Sequence, residues 1–363
     1  MANEAPVRYL FGSLDTREII AELAMTSVSM DKKLNDWGTF RGTLRFDTTG
    51  VDNADLVAAT TPGRSFLVCE RGDTPIWDGI VWTGSYDSQG KDLNITARTY
   101  EGYADRQVIG DFTRTSIEQR NIFRDLWTDL QSVNERNISI NIPSAFSSVI
   151  LRSVDVMANE YKTYLQIMSA LADGVDGFDW TIETIKQNNQ YVRSLKIGYP
   201  VLGTTDGAGL SFDYPGNITN YYKTSGISNA GTNLFLLGAG EGSEMKVGTA
   251  VQTDLLTSGF KRYDLVLSRK DMDDQQLIDS MATRLGTVHR PPISVIKVFL
   301  KANLDPVFGS YGLGDTATVS IIDPRHPEGF TSSARIVAMT YRPQSDETVE
   351  QAELIFEGDE LNE

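Results

Sequence analysis

Histidine occurs twice, at His289 and His326. A zinc-binding or catalytic imidazole needs partners at set spacing, such as His-Glu-x-x-His on one helix face or a serine in a Gly-x-Ser-x-Gly elbow. The sequence contains neither. His289 stands just before Arg290-Pro291-Pro292, and His326 lies in Pro324-Arg325-His326-Pro327-Glu328-Gly329, so both are expected in loops. Cys69 is the single cysteine, which excludes an intrachain disulfide and a thiolate metal cage. Its apolar setting, Ser65-Phe66-Leu67-Val68-Cys69-Glu70, predicts a buried thiol on a strand rather than a nucleophile.

Gly238-Ala239-Gly240-Glu241-Gly242 follows an apolar run and invites a phosphate-loop reading. No Gly-Lys-Ser/Thr follows, and Ser243 stands where the dinucleotide fingerprint needs its third glycine. A β-loop leading into a strand is expected instead. Asp271, Asp273 and Asp274 suggest calcium until the loop is counted. The sixth and twelfth positions hold Gln276 and Ala282, not the glycine and bidentate glutamate of an EF-hand. These acids are expected to complement a helix N-terminus. The 49 acidic residues allow many carboxylate pairs for glycoside hydrolysis, but none stands out by context. Tyr214, Tyr221, Tyr222 and Trp37 are candidates for stacking on sugars, with core or interface roles as the alternative. No catalytic, cofactor-binding or metal-binding residue is assigned, and the chain is read as non-enzymatic.

The elements that must position these residues are mostly strands. Strands are expected over 7–10, 39–46, 66–69, 77–82 and 93–98, with 34–38 and 87–90 as turns. Residues 19–23 read equally as a strand or a short helix. After Phe112 the period changes. Thr115 and Glu118 have capping-box spacing, and Ile122, Phe123, Leu126, Trp127 and Leu130 recur as a helical stripe, predicting a helix over 116–131. A second helix is expected over 160–172 with Gly174 as its stop, then strands over 178–185 and 191–197. Residues 203–209 form the most linker-like stretch. The last third is expected to return to β, with strands over 234–237, 295–301, 316–322, 333–341 and 349–356 and one helix over 273–285. The fold class is therefore α+β, mainly β, with three parts: 1–112, 113–202 and 203–363. The stretch 80–101 has the same length as 336–357 and similar ends, each a strand, a polar turn and a returning strand. This echo suggests two related β-domains around an α/β insert.

With 33 Lys and Arg against 49 Asp and Glu, the net charge of −16 opposes duplex binding, which relies on cations that neutralise phosphates. Solubility is one use of such a balance; a surface along which nucleic acid slides without sticking is another. The longest apolar runs fall short of the roughly 18 residues of a membrane helix. Met-Ala-Asn-Glu-Ala-Pro lacks the basic start and apolar stretch of a signal peptide, so assembly in a cytoplasm is expected.

The order of several segments resembles the tail-tip hub, or minor tail, proteins of siphophages, baseplate-hub-like and of the type found with actinobacterial hosts. The segments are Tyr9-Leu10-Phe11 with Leu34-Asn35-Asp36-Trp37-Gly38, and Trp77-Asp78-Gly79-Ile80-Val81 with Leu93 to Tyr103. Leu165-Gln166-Ile167-Met168 with Phe178-Asp179-Trp180, and Gly312-Leu313-Gly314-Asp315-Thr316-Ala317-Thr318-Val319, complete the set. The resemblance implies two tube-like β-barrel domains flanking an α/β insert, without catalytic residues or cofactors. It also implies a homotrimeric ring in the virion, assembled in the host bacterial cytoplasm, which adapts a sixfold tail tube to threefold tip fibres. Its neighbours would be a distal tail protein or tube ring, the tape measure protein and the tip fibre proteins, with DNA passing through the lumen unbound. A carbohydrate- or receptor-binding tail module is the rival reading, and a tail hydrolase using two carboxylates a third.

Overall fold

The computed structural model describes residues 6–45, 50–86, 91–173, 176–188, 190–204, 209–228, 230–270, 272–291, 293–344 and 350–357. Asp271, the helix stop Gly174, the turn 87–90 and the centre of the 203–209 linker lie outside them.

Seven strands build the first unit: β1 (Val7–Ser13), β2 (Ile19–Glu22), β3 (Met25–Lys33), β4 (Thr39–Arg45), β5 (Ser65–Arg71), β6 (Thr74–Ser85) and β7 (Asp92–Arg98). Helix α1 (Asn53–Thr60) separates β4 from β5. Hydrogen bonding runs in the order β3-β4-β7-β6-β5-β1-β2. The ambiguous stretch at 19–23 is thus a strand. β7 alternates as its sequence predicts, with Leu93, Ile95 and Ala97 turned inward. β5 is buried at every position. Leu67 and Cys69 face one apolar cluster, whereas Phe66 and Val68 face another. A strand covered on both faces reads as an unbroken apolar run. Cys69 sits within it, and burial pushes its thiol pKa well up, as expected for a structural cysteine.

The middle block holds β8 (Phe112–Glu118), α2 (Gln119–Leu130), β9 (Ile140–Asn141), β10 (Leu151–Val156), α3 (Tyr164–Ala172), β11 (Asp179–Gln187) and β12 (Gln190–Gly198). The stripe of α2 is buried as its spacing predicts, with Ile122, Phe123, Leu126, Trp127 and Leu130 at 0% exposure. Its start is corrected. Residues 112–118 are a strand paired antiparallel with β10, so Thr115 and Glu118 form no capping box. Glu118 is itself the cap residue and turns its carboxylate to other partners, described below. The second helix also starts late. Tyr161 has a φ of 51° and Thr163 caps α3 through a box with Gln166.

The last third contributes β13 (Ser211–Tyr214), β14 (Ile218–Gly226), β15 (Asn233–Leu237), β16 (Val247–Val251), α4 (Thr253–Ser258) and β17 (Asp264–Ser268). It continues through α5 (Gln275–Val288), β18 (Ile293–Leu300), β19 (Thr316–Ile321), β20 (Phe330–Arg342) and β21 (Gln351–Glu357). Strands β16-β15-β17 form a small separate sheet. It packs on α5 through its own cluster of Leu234, Leu236, Ile278, Met281 and Ala282. Gly248 permits that approach, since a Cβ there would lie 2.7 Å from the Ile278 carbonyl oxygen. This piece sits in the chain between β14 and β18.

The remaining strands of the last third join the first unit. Residues 338–341 of β20 pair antiparallel with 30–33 of β3, making one 13-stranded sheet. Side chains of both units, from Phe11 and Phe40 to Phe212 and Phe356, share one apolar core. The molecule is mainly β, as expected for an α+β fold. Among the described residues no helix is long and apolar enough to cross a membrane.

Candidate assembly interface

The residues with chemical potential are placed by the fold into structural work. His289 caps the C-terminus of α5, its amide donating to the Leu285 carbonyl at 2.8 Å and its own carbonyl accepting from Gly231 at 2.9 Å. His326 lies in a turn organised by Asp323, whose Oδ1 accepts from the amides of Arg325 (2.9 Å) and His326 (2.7 Å). The Tyr221 hydroxyl donates to the same carboxylate, and these bonds hold the Asp323 pKa down at about 2. Asp274 caps α5 by accepting from the Leu277 amide at 3.0 Å, as expected for a helix acid. The Gly238–Gly242 loop turns through a short 3-10 stretch into β16, not a helix, so it presents no helix N-terminus to a phosphate.

The proposed sugar-stacking aromatics are largely occupied. Tyr214 and Tyr221 pack edge-to-face at 5.3 Å. The Arg98 guanidinium sits between the rings of Trp37 (4.1 Å) and Trp82 (4.5 Å). Tyr222 alone of the four is largely exposed, at 57%.

A groove of about 680 Å³ runs between the β11–β12 hairpin and residues 308–313. Glu183 and Asp315 line it, and both are engaged. Glu183 pairs with Lys196 at 3.2 Å. Asp315 accepts from the Thr204 amide and hydroxyl (2.9 and 3.0 Å) and from the Gly312 amide (2.8 Å).

Sequence reasoning missed the polar contacts that fasten the middle block to the main sheet. Four acids take part in them, beside Asn35, whose Oδ1 accepts from the Trp180 amide at 2.7 Å. Glu70 on β5 accepts from Tyr191 (2.8 Å) and pairs with Lys186 (2.9 Å). Asp78 on β6 accepts from Thr184 (2.8 Å) and pairs with Arg193 (3.0 Å). Glu101 accepts from the Thr181 hydroxyl and the Ile182 amide, at 3.0 and 2.7 Å. Asp179 on β11 binds the Leu202 amide at 3.0 Å and pairs with Arg335 from β20. No local motif marks these acids, because each partner lies far along the chain. Together they hold the three parts in one arrangement.

Glu118 does the same within the middle block. Its Oε2 accepts from the amides of Val149 (2.5 Å) and Ile150 (2.9 Å), and its Oε1 from Arg120 (2.7 Å). Burial alone would raise its pKa, but these donors outweigh burial and hold it below the ordinary carboxylate value. A depressed carboxyl stabilises the fold above its unfolded pKa of about 4.3 and loses that stabilisation as pH falls through the folded value. Glu118→Gln should therefore cost about 1–3 kcal/mol at neutral pH. The gap between variant and parent should narrow on acidification, measured as urea midpoints from pH 7 to 3. A gap that widens would contradict the assignment.

The feature with assembly potential is a repeat in the main sheet. In chain order, β3, β4, β5, β6 and β7 stack in space as β3-β4-β7-β6-β5. Strands β14, β18, β19, β20 and β21 stack as β14-β18-β21-β20-β19. Both sets therefore run first, second, fifth, fourth, third, with antiparallel pairing at every step. The hairpins β6–β7 and β20–β21 correspond to the echo seen in the sequence. The main path of the sheet ends at β14 and at β2, which present unpaired strand edges among the described residues.

The architecture is thus a duplicated five-stranded antiparallel unit around an α/β block. No family model matches the sequence, and no curated protein matches it in sequence. Solved structures do match in fold. A tail protein from Neisseria meningitidis MC58 superposes with a TM-score of 0.61 at 12% identity, covering 98% of this chain and 96% of that one. The 43 kDa tail protein of prophage MuSo2 from Shewanella oneidensis gives 0.58 at 10% identity, covering 98% and 100%. The E. coli c3393 protein, a component of the type VI secretion system with structural similarity to the T4 tail proteins gp27 and gp5, gives 0.50 at 9% identity, covering 98% and 76%. The expected likeness to tail proteins is thus present at the level of the fold.

Proposed function

We propose that the chain is a non-enzymatic structural subunit of the hub at the tip of a long-tailed phage tail. Three copies form a ring that continues the tail tube and adapts its sixfold symmetry to threefold tip fibres. The observation that carries this reading is the duplicated five-strand unit. Three chains, each bearing the unit twice, present six similar sets of strands to a sixfold tube. In this reading 1–112 and 203–363 are tube-like barrel domains and 113–202 is the insert. A distal tail protein or tube ring lies on one side, and the tape measure and tip fibre proteins on the other. The net charge of −16 suits a lumen through which DNA passes without a ladder of phosphate contacts. The ring belongs to the virion and is assembled in the host cytoplasm.

Cryo-EM of the purified chain, after sizing by sedimentation, tests the proposal. A threefold particle with an open, acidic central hole is the expected image. A monomer at tens of micromolar, or a trimer without a passage, would end the reading.

A further inference from the structure

We infer that the edge of β6 at residues 83–86 pairs antiparallel with the edge of β14 at residues 223–226 of a second copy of this chain. The inference rests on the ring reading above and names the strands that would make the seam.

The intrachain junction supplies the template. Strands β6 and β20 each carry a register shift against their returning strand, between Val81 and Thr83 in one and between Ile336 and Ala338 in the other. Just before the shift, the Val81 carbonyl accepts from the Gly63 amide at 2.9 Å and the Ile336 carbonyl from the Gly314 amide at 2.8 Å. Both glycines have positive φ, 73° and 88°. Val81 therefore corresponds to Ile336, and residues 83–86 to 338–341. The other strand follows by the same logic. Phe40 pairs with Ala97 and Ile296 with Phe356, the residues opposite Val81 and Ile336. Met30 pairs with Phe40 and Lys223 with Ile296, so residues 30–33 correspond to 223–226.

Within the chain, Ala338 faces Lys33 and Tyr341 faces Met30. Carried to the second unit, Thr83 faces Gly226 and Tyr86 faces Lys223 of another copy. Tyr341 is 1% exposed because β3 covers it, whereas its counterpart Tyr86 is 71% exposed. No described strand pairs with β6 beyond Val81 on the side that β5 leaves, nor with β14 at 223–226 on its outer side. Thr83, Gly84 and Ser85 are small and let a second backbone approach closely. Lys223 already lies 4.1 Å over the Phe330 ring, on the face where Tyr86 would arrive. The two edges differ, so the contact is head-to-tail, and such a contact closes only as a ring.

Ser85 falls opposite Thr224, and both are exposed. Cys69 is buried and does not interfere. Oxidised S85C/T224C is expected to run as covalent oligomers up to the closed ring on a non-reducing gel, whereas S85C and T224C alone do not. Tyr86→Asp, checked for native circular dichroism, is expected to weaken self-association by about tenfold or more. A wild-type trimer that neither cross-links in the double variant nor responds to Tyr86→Asp overturns the strand assignment and leaves the ring reading standing. A wild-type chain that does not self-associate overturns both.

Discussion

Replacing Arg193 with methionine is expected to lower stability by about 3–5 kcal/mol, because it strands a buried carboxylate. The side chains of Arg193 and Asp78 are each 3% exposed and meet at 3.0 Å. Burial alone would lower the Arg193 pKa, but Asp78 and Tyr100 outweigh it and keep the guanidinium charged. Its flat faces also pack 4.5 Å from the rings of Phe66 and Tyr100. Asp78 belongs to the main sheet and Arg193 to the insert, so the pair bolts two parts of the chain together. Removing both charges as D78L/R193M should cost less than R193M alone, since no charge is then left unpaired in a dry site. Urea unfolding followed by circular dichroism measures all three proteins. A loss below about 1 kcal/mol in R193M, the value of an exposed pair, would show that water reaches the site.

Phe123→Ala is expected to cost a similar amount, about 3–5 kcal/mol, by opening a cavity in the insert. Phe123 is fully buried, with its ring centroid 5.2 Å from Phe178 and 5.0 Å from Trp180. Trp127 and Trp180, two of the five tryptophans, line the same cluster, so tryptophan fluorescence carries a signal from this core. The cluster shares β5 with the core of the main sheet, through Phe66 and Val68 on one face and Leu67 and Cys69 on the other. Loss of the insert would leave one face of that strand bare. Fluorescence and far-UV circular dichroism should therefore report one transition at the same midpoint in the variant. Two separated transitions would mean that the insert unfolds alone.

Legibility followed periodicity. Helix α2 was readable from its stripe because one helix face meets one core. The buried setting of Cys69 was readable because β5 is covered on both sides. Strand β3 was not readable. Its sequence, MTSVSMDKK, is polar, and a register shift between Thr26 and Ser29 breaks the alternation that would expose it. The strand that joins the two units therefore left almost no signal. The start of α2 was misplaced because the capping-box pattern is local, whereas the pairing of residues 112–118 with β10 is not. The echo of equal-length segments pointed to the right hairpins but matched Tyr100 with Phe356. Their bulges place Ala97 there instead, three residues away.

Composition and spacing by themselves determined the α+β class, the buried thiol, the failed phosphate and calcium patterns and the acidic balance. Each of these depends on residues near one another in the chain. Only the tertiary structure decided that the two β units are one sheet with one core, and that their strands repeat a single winding order. It alone placed Asp78 against Arg193 and left Tyr86 exposed where Tyr341 is covered. Those facts arise from pairings between distant segments, whose free energy depends on which surfaces meet and not on the local order of side chains.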